Sequence, residues 1–199
     1  MFVQVIEGRV GDRDRLRRQL DLWNEDLRSG ATGFLGSTGG VTDDGRGIVV
    51  ARFESVAAAR ANEQRPEQGR WWAETEECFD GDVSFSDSDD VEVLLGGGSD
   101  GAGFVQVLKD HGVDRDRMRA LDRAFDGEIA VSFRPDLLGS IRVWTGSGSY
   151  VEVAYFTSEA EAREGERKQP PAELAEAMGD FEAMMAGVEF MDLRDPWLH

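Results

Sequence analysis

Short apolar runs rich in Val and Phe, Phe2–Ile6 and Phe104–Leu108, predict two β-strands. The spacing then changes. Leu16, Leu20, Trp23 and Leu27 fall four, three and four residues apart, and Met118, Leu121, Phe125 and Ile129 three, four and four. Each set draws one apolar stripe along a helix. Asp12 and Asp114 stand where N-caps belong. Further strands are predicted near 33–41 and 47–54, and near 137–145 and 149–157. The turns between them, Thr42-Asp43-Asp44-Gly45 and Thr145-Gly146-Ser147-Gly148, carry hairpin residues. Ser55 and Ser158 cap a second helix, interrupted at Pro66 and at Pro170-Pro171, where the missing N–H forces a break or a restart. A last strand begins at Val83 and at Val188.

The paired numbers reflect an internal repeat. Phe2-Val3-Gln4-Val5 returns as Phe104-Val105-Gln106-Val107, Asp12-Arg13-Asp14-Arg15 as Asp114-Arg115-Asp116-Arg117, and Leu35-Gly36-Ser37 as Leu138-Gly139-Ser140. The pattern around Phe53-x-Ser55 returns at Phe156-x-Ser158, and Val83-x-Phe85 at Val188-x-Phe190. Matches in unbroken order at a near-constant offset mark a tandem duplication. Each copy reads βαββαβ, the ferredoxin-like order, so the chain is α+β with repeats at 1–95 and 103–199 joined by a Gly-rich linker, 96–102. A ferredoxin-like sheet carries helices on one face only, and its other face must be covered. Packing of the two repeats sheet-to-sheet, as an intrachain pseudo-dimeric α/β barrel, is the expected solution. Val91–Leu95 could add a strand crossing toward the partner half.

Charge and composition narrow the function classes. With 22 basic against 40 acidic residues the net charge is −18, which opposes nucleic-acid binding and attraction to anionic membranes. No apolar run approaches the roughly 20 residues of a membrane span, and no signal-type segment opens the chain, so a cytoplasmic protein is expected. The single cysteine, Cys78, forms no intrachain disulfide and reads as a small buried hydrophobe. Of the two histidines, His111 falls in a predicted turn and His199 is the C-terminal residue. Neither suits a haem ligand, and no His/Cys cluster suits a metal, so no cofactor and no metal are expected. The run Asp87-Ser88-Asp89-Asp90 reads as a solvated turn.

The duplicated unit, with Phe53 through Trp72 reading FESVAAARANEQRPEQGRWW, resembles the dimeric α/β-barrel superfamily, in particular its antibiotic-biosynthesis-monooxygenase-like branch. That resemblance implies a small-molecule ligand held between sheet and helices by an Asn and a Trp. Its known members include cofactor-free oxygenases of aromatic polyketides and haem-degrading enzymes. The matching residues here are Asn62, Trp71 and Trp72; an amide and large aromatics could orient and stack a flat ligand. Adjacent helical positions point about 100° apart, so the two tryptophans do not share one pocket equally. Asn62 falls opposite Gly165, and Trp72 opposite Ala177 or Met178, which confines such a site to the first copy.

Gln4, repeated as Gln106, stands mid-strand among apolar residues and either lines a pocket or is a satisfied inheritance of the duplication. Arg52, with its counterpart Tyr155, is expected on the sheet face opposite Phe53 and Phe156, where a buried Arg needs a carboxylate or an anionic ligand. No general base stands out; Glu63 and Glu67 are the nearest carboxylates. Two functions remain open: a binder or cofactor-independent oxygenase of flat aromatics, and a non-enzymatic structural or interaction protein whose pocket has collapsed.

Overall fold

The computed structural model describes residues 1–199. The first half of the sequence runs β1 (Phe2–Arg9), α1 (Arg13–Leu22), β2 (Phe34–Val41), β3 (Arg46–Phe53), α2 (Val56–Glu63), α3 (Pro66–Glu76), β4 (Ser84–Ser88) and β5 (Val91–Leu94). The second half repeats the order: β6 (Phe104–Asp110), α4 (Arg115–Phe125), α5 (Glu128–Phe133), β7 (Leu137–Gly146), β8 (Ser149–Phe156), α6 (Glu159–Glu166), α7 (Ala175–Met185), β9 (Glu189–Leu193) and β10 (Trp197–Leu198). These strands build two antiparallel five-stranded sheets, ordered β10-β2-β3-β1-β4 and β5-β7-β8-β6-β9. The tandem ferredoxin-like reading is the observed fold.

The local signals act as their chemistry predicts. Asp12 accepts from the Arg15 N–H at 2.9 Å, Asp114 from the N–H groups of Asp116 and Arg117, and Ser55 and Ser158 from those of Ala58 and Glu161. Each satisfies donors that a helix start leaves open. Pro66 opens α3 at its first turn, where no N–H is required.

Four expectations change. The stripe ending at Ile129 breaks at Asp126-Gly127; α5 is separate, and Ile129 is 48% exposed. Met118 and Leu121 alone of that stripe are fully buried. In the first copy the stripe continues past α1 through a π-helical turn, Trp23–Leu27, and a 3-10 turn, Arg28–Gly30. Asp87 and Ser88 belong to β4 rather than to a turn.

The fourth change concerns the sheet edges. Val91–Leu95, expected to add a strand crossing toward the partner half, does so as β5 at the edge of the second sheet; what changes is that the matching segment after β9, β10, crosses back to pair with β2 of the first. The compact units are therefore Met1–Val91 with Asp195–His199, and Glu92–Arg194. This explains the repeated Leu-Gly-Ser. Gly36 and Gly139 each sit at a β-bulge with positive φ, +140° and +155°. A Cβ on Gly36 would meet the His199 carbonyl oxygen at 2.7 Å, and one on Gly139 would strike the backbone of Leu95 and Gly97. Glycine lets the incoming edge segment approach. Gly97 is thus a buried contact point, where the sequence suggested only a flexible tether.

Candidate functional site

In an antiparallel sheet, directly paired residues project to the same side. On the helix-bearing face of the first sheet His199, Ser37, Ala51, Gln4 and Asp87 are successive partners across the five strands. This row separates two apolar clusters: Phe2, Phe53 and Ala59 with Phe34 and Ala58 on one side, Leu16, Val41, Cys78 and Trp197 with Leu20 on the other. Four of the row's members are half-buried and Asp87 is exposed, although three of the row's strands are interior. At its centre stand two small side chains, Ser37 and Ala51, the latter packed against the Phe2, Phe53 and Ala59 cluster.

The second sheet fills the same positions. Ser140, Ala154 and Gln106, equivalent to Ser37, Ala51 and Gln4, are 4%, 7% and 8% exposed. In the adjacent row, Gly39 and Val49 are replaced by Arg142 and Glu152, and Leu20 on α1 by Asp122 on α4. The Arg142 guanidinium, with its side chain 4% exposed, binds Glu152 at 2.8 Å, Asp122 at 2.7 Å and Glu92 at 3.1 Å, and Ser140 donates to Glu152 at 2.7 Å. Burial alone would discharge Arg142, but the facing carboxylates hold its pKa above the ordinary value. An ionic plug occupies one helix–sheet space where the other has glycine and aliphatic carbon.

The five residues singled out from the sequence disperse around the row. Gln4 lies on it, donating to Glu63 at 2.6 Å and Asp87 at 3.4 Å, and Arg60 bridges the same two carboxylates at 2.6 and 2.7 Å. Gln106, Asp192 and Arg163 repeat this arrangement. Trp71 turns toward α1, its indole N–H donating to the Gln19 carbonyl at 2.7 Å, as the Trp23 N–H does to Gln68 at 2.6 Å. Trp72 turns the other way and meets Phe85 edge-on at 5.2 Å, two residues along β4 from Asp87. Phe53, Phe34, Trp23, Trp71, Trp72 and Phe85 form a continuous series of rings with no centroid separation above 6.3 Å. Asn62 is 5% exposed, and its carbonyl oxygen accepts from Arg65, which also reaches the Leu27 carbonyl and Glu67. Arg52 pairs with Val3 on the opposite face and is not brought to the others.

Two residues passed over in the sequence belong to the row's far end. His199 exchanges backbone hydrogen bonds with Ser37 at 2.7 and 3.0 Å, which fixes its side chain on the helix face, and its Nε2 lies 3.7 Å from Asp21 of α1. Nothing in local spacing joins positions 21, 37 and 199; the β10–β2 pairing does. Beside them, the buried indole N–H of Trp197 has no partner. No His, Cys, Asp and Glu side chains gather as a metal ion requires, and no helix is long and apolar enough to cross a membrane.

The architecture is a tandem ferredoxin-like one that recurs, at low identity, in several solved structures. A protein from Lactobacillus acidophilus NCFM, provisionally named a monooxygenase, superposes with a TM-score of 0.70 at 12% identity, over 100% of this chain and 98% of its own. A second provisionally named monooxygenase, from Fusobacterium nucleatum, gives 0.73 at 9% identity over 96% and 90%. An anthrone oxidase-like protein gives 0.59 at 14% identity over 99% and 93%. At these identities the likeness is one of fold. No family model matches the sequence, and no curated protein does.

Proposed function

We propose that the first unit binds a flat aromatic molecule over the row His199-Ser37-Ala51-Gln4-Asp87, and that the chain is a cofactor-independent oxygenase of such molecules. The observation that carries this reading is the contrast between the repeats: three equivalent strand positions, Ser37, Ala51 and Gln4, are half-buried in the first unit, whereas Ser140, Ala154 and Gln106 are buried in the second. Aromatic walls flank the open row, and its floor presents an amide, a hydroxyl, an imidazole and a carboxylate, which suits a ring system bearing oxygen substituents. The likeness in fold to an anthrone oxidase-like protein supports anthrone as the first substrate to try. The balanced reaction consumes one anthrone and one dioxygen and yields one anthraquinone and one water. Anthraquinone should quench tryptophan fluorescence and raise the melting temperature, and anthrone should drive dioxygen uptake above the buffer rate. Absence of both effects overturns the reading.

One observation favours a second reading, a non-enzymatic protein with a closed site. The polar atoms of Gln4, Trp71 and Asn62 are each engaged within the unit. Two surface depressions, of about 440 and 580 Å³, lie along α5 beside Glu128 and Ser132. On this reading anthraquinone leaves both fluorescence and melting temperature unchanged.

A further inference from the structure

We propose that His199 is the proton acceptor of the first unit's row, with Asp21 as its positioning residue; this rests on the aromatic-binding reading above. β10 is a two-residue strand, yet it places His199 beside the half-buried Ser37, on the face where the row is open. The imidazole is mostly enclosed, with 16% of its side chain exposed, and Asp21 on α1 stands at ion-pair distance, 3.7 Å from Nε2. Asp21, itself about half exposed, is a charged group that faces it from the helix above, and His199 also bears the terminal carboxylate. On the sheet, the neighbouring residues of its face, Ser37, Ala51 and Trp197, are uncharged. Asp195, two residues before Trp197, is bridged by Arg17 at 2.5 Å and Arg13 at 3.6 Å, which leaves one net positive charge on that side of α1. A histidine whose carboxylate partner stabilises the imidazolium is suited to accept a proton near neutral pH.

The step balances without a bound cofactor. The ring C–H or O–H bond of the substrate breaks, its electron pair stays on the ring as an enolate or phenolate, and the proton goes to the imidazole, whose new charge faces Asp21. Dioxygen, the co-substrate, then oxidises the electron-rich ring. Ser37, beside His199 on the same row, carries a hydroxyl that can donate to the ring oxygen, whereas the Gln4 amide nitrogen is held by Glu63 and Asp87. Glu63 and Asp87, at the other end, are bound by Arg60 and Gln4, which weakens either as the base.

The test separates binding from proton transfer. Anthraquinone, which has no acidic proton, is titrated against the whole chain by tryptophan fluorescence; anthrone is then followed by dioxygen uptake from pH 5 to 9. His199→Gln should lower kcat on the order of 100-fold and flatten the acidic limb of the pH profile, while anthraquinone still quenches tryptophan fluorescence. Asp21→Asn should move that limb to lower pH, because loss of the carboxylate lowers the imidazole pKa. His199→Ala, checked by its unfolding transition, should regain rate with added imidazole, which a merely structural role would not allow. Unchanged kcat and limb in His199→Gln, or no rescue of the folded alanine variant, overturns the assignment while anthraquinone binding leaves the site standing. If the wild-type chain does not bind anthraquinone, the aromatic-binding reading falls and this assignment falls with it.

Discussion

The two helix–sheet spaces began as copies and now solve opposite problems. In the second unit Arg142, Glu152, Asp122 and Glu92 fill the floor with one guanidinium shared among three carboxylates. In the first, Gly39, Val49 and Leu20 take three of the corresponding positions, and the polar row beside them stays half-open. The difference teaches that a duplicated fold need not keep a duplicated site. One copy can turn its space into core by adding a buried ion pair, which holds only while every partner is present.

The strongest way to break the comparison is Arg142→Ala. It leaves Asp122 and Glu152 without their guanidinium and Glu92 with Arg119 alone, and should cost about 3–5 kcal/mol, read as a lower denaturation midpoint. Arg119→Ala removes only the exposed partner of Glu92 and should cost less than about 1 kcal/mol. Next comes the reverse graft, Gly39→Arg. Its Cβ would meet the Ile48 carbonyl and Val49 at 3.2 Å, so a loss of about 1–3 kcal/mol is expected, together with loss of fluorescence quenching by anthraquinone. Smaller again is the pair of glutamines. Gln106→Ala removes a buried partner of Asp192 and should cost about 1–3 kcal/mol, whereas Gln4→Ala, open to water, should cost under about 1 kcal/mol.

The smallest effect is a titration. Burial pushes the Glu92 carboxyl up, but hydrogen bonds from Arg119, Trp144 and Arg142 outweigh it, and its pKa ends below the ordinary 4.5. The depressed folded value means its contribution is complete above 4.5 and is lost as pH falls through the folded pKa. Denaturation midpoints below pH 4.5 should therefore decline less steeply in Glu92→Gln than in the wild type.

Much of the fold was legible because its signals are local. Caps at Asp12, Ser55, Asp114 and Ser158, the restart at Pro66 and the hairpin turns need only neighbouring residues. The Ile129 stripe misled because periodicity continues across Asp126-Gly127 while the backbone does not. Of the site, the sequence singled out Gln4, Trp71 and Trp72 but gave no means to choose their directions. Those follow from the Gln19 carbonyl and Phe85, distant in the chain. His199 stayed hidden for a related reason. Two strand residues carry almost no pattern, and their significance comes from pairing with β2, more than a hundred residues earlier.

The exchanged edges also impose an order on synthesis. The first sheet waits for Trp197 and Leu198 to be translated before its β2 edge is covered, and the second sheet takes its β5 edge from sequence made before any other of its strands. A nascent chain whose first 91 residues have left the ribosome can form a four-stranded sheet with a bare margin, the kind of surface that invites a neighbouring chain on the same polysome to pair with it.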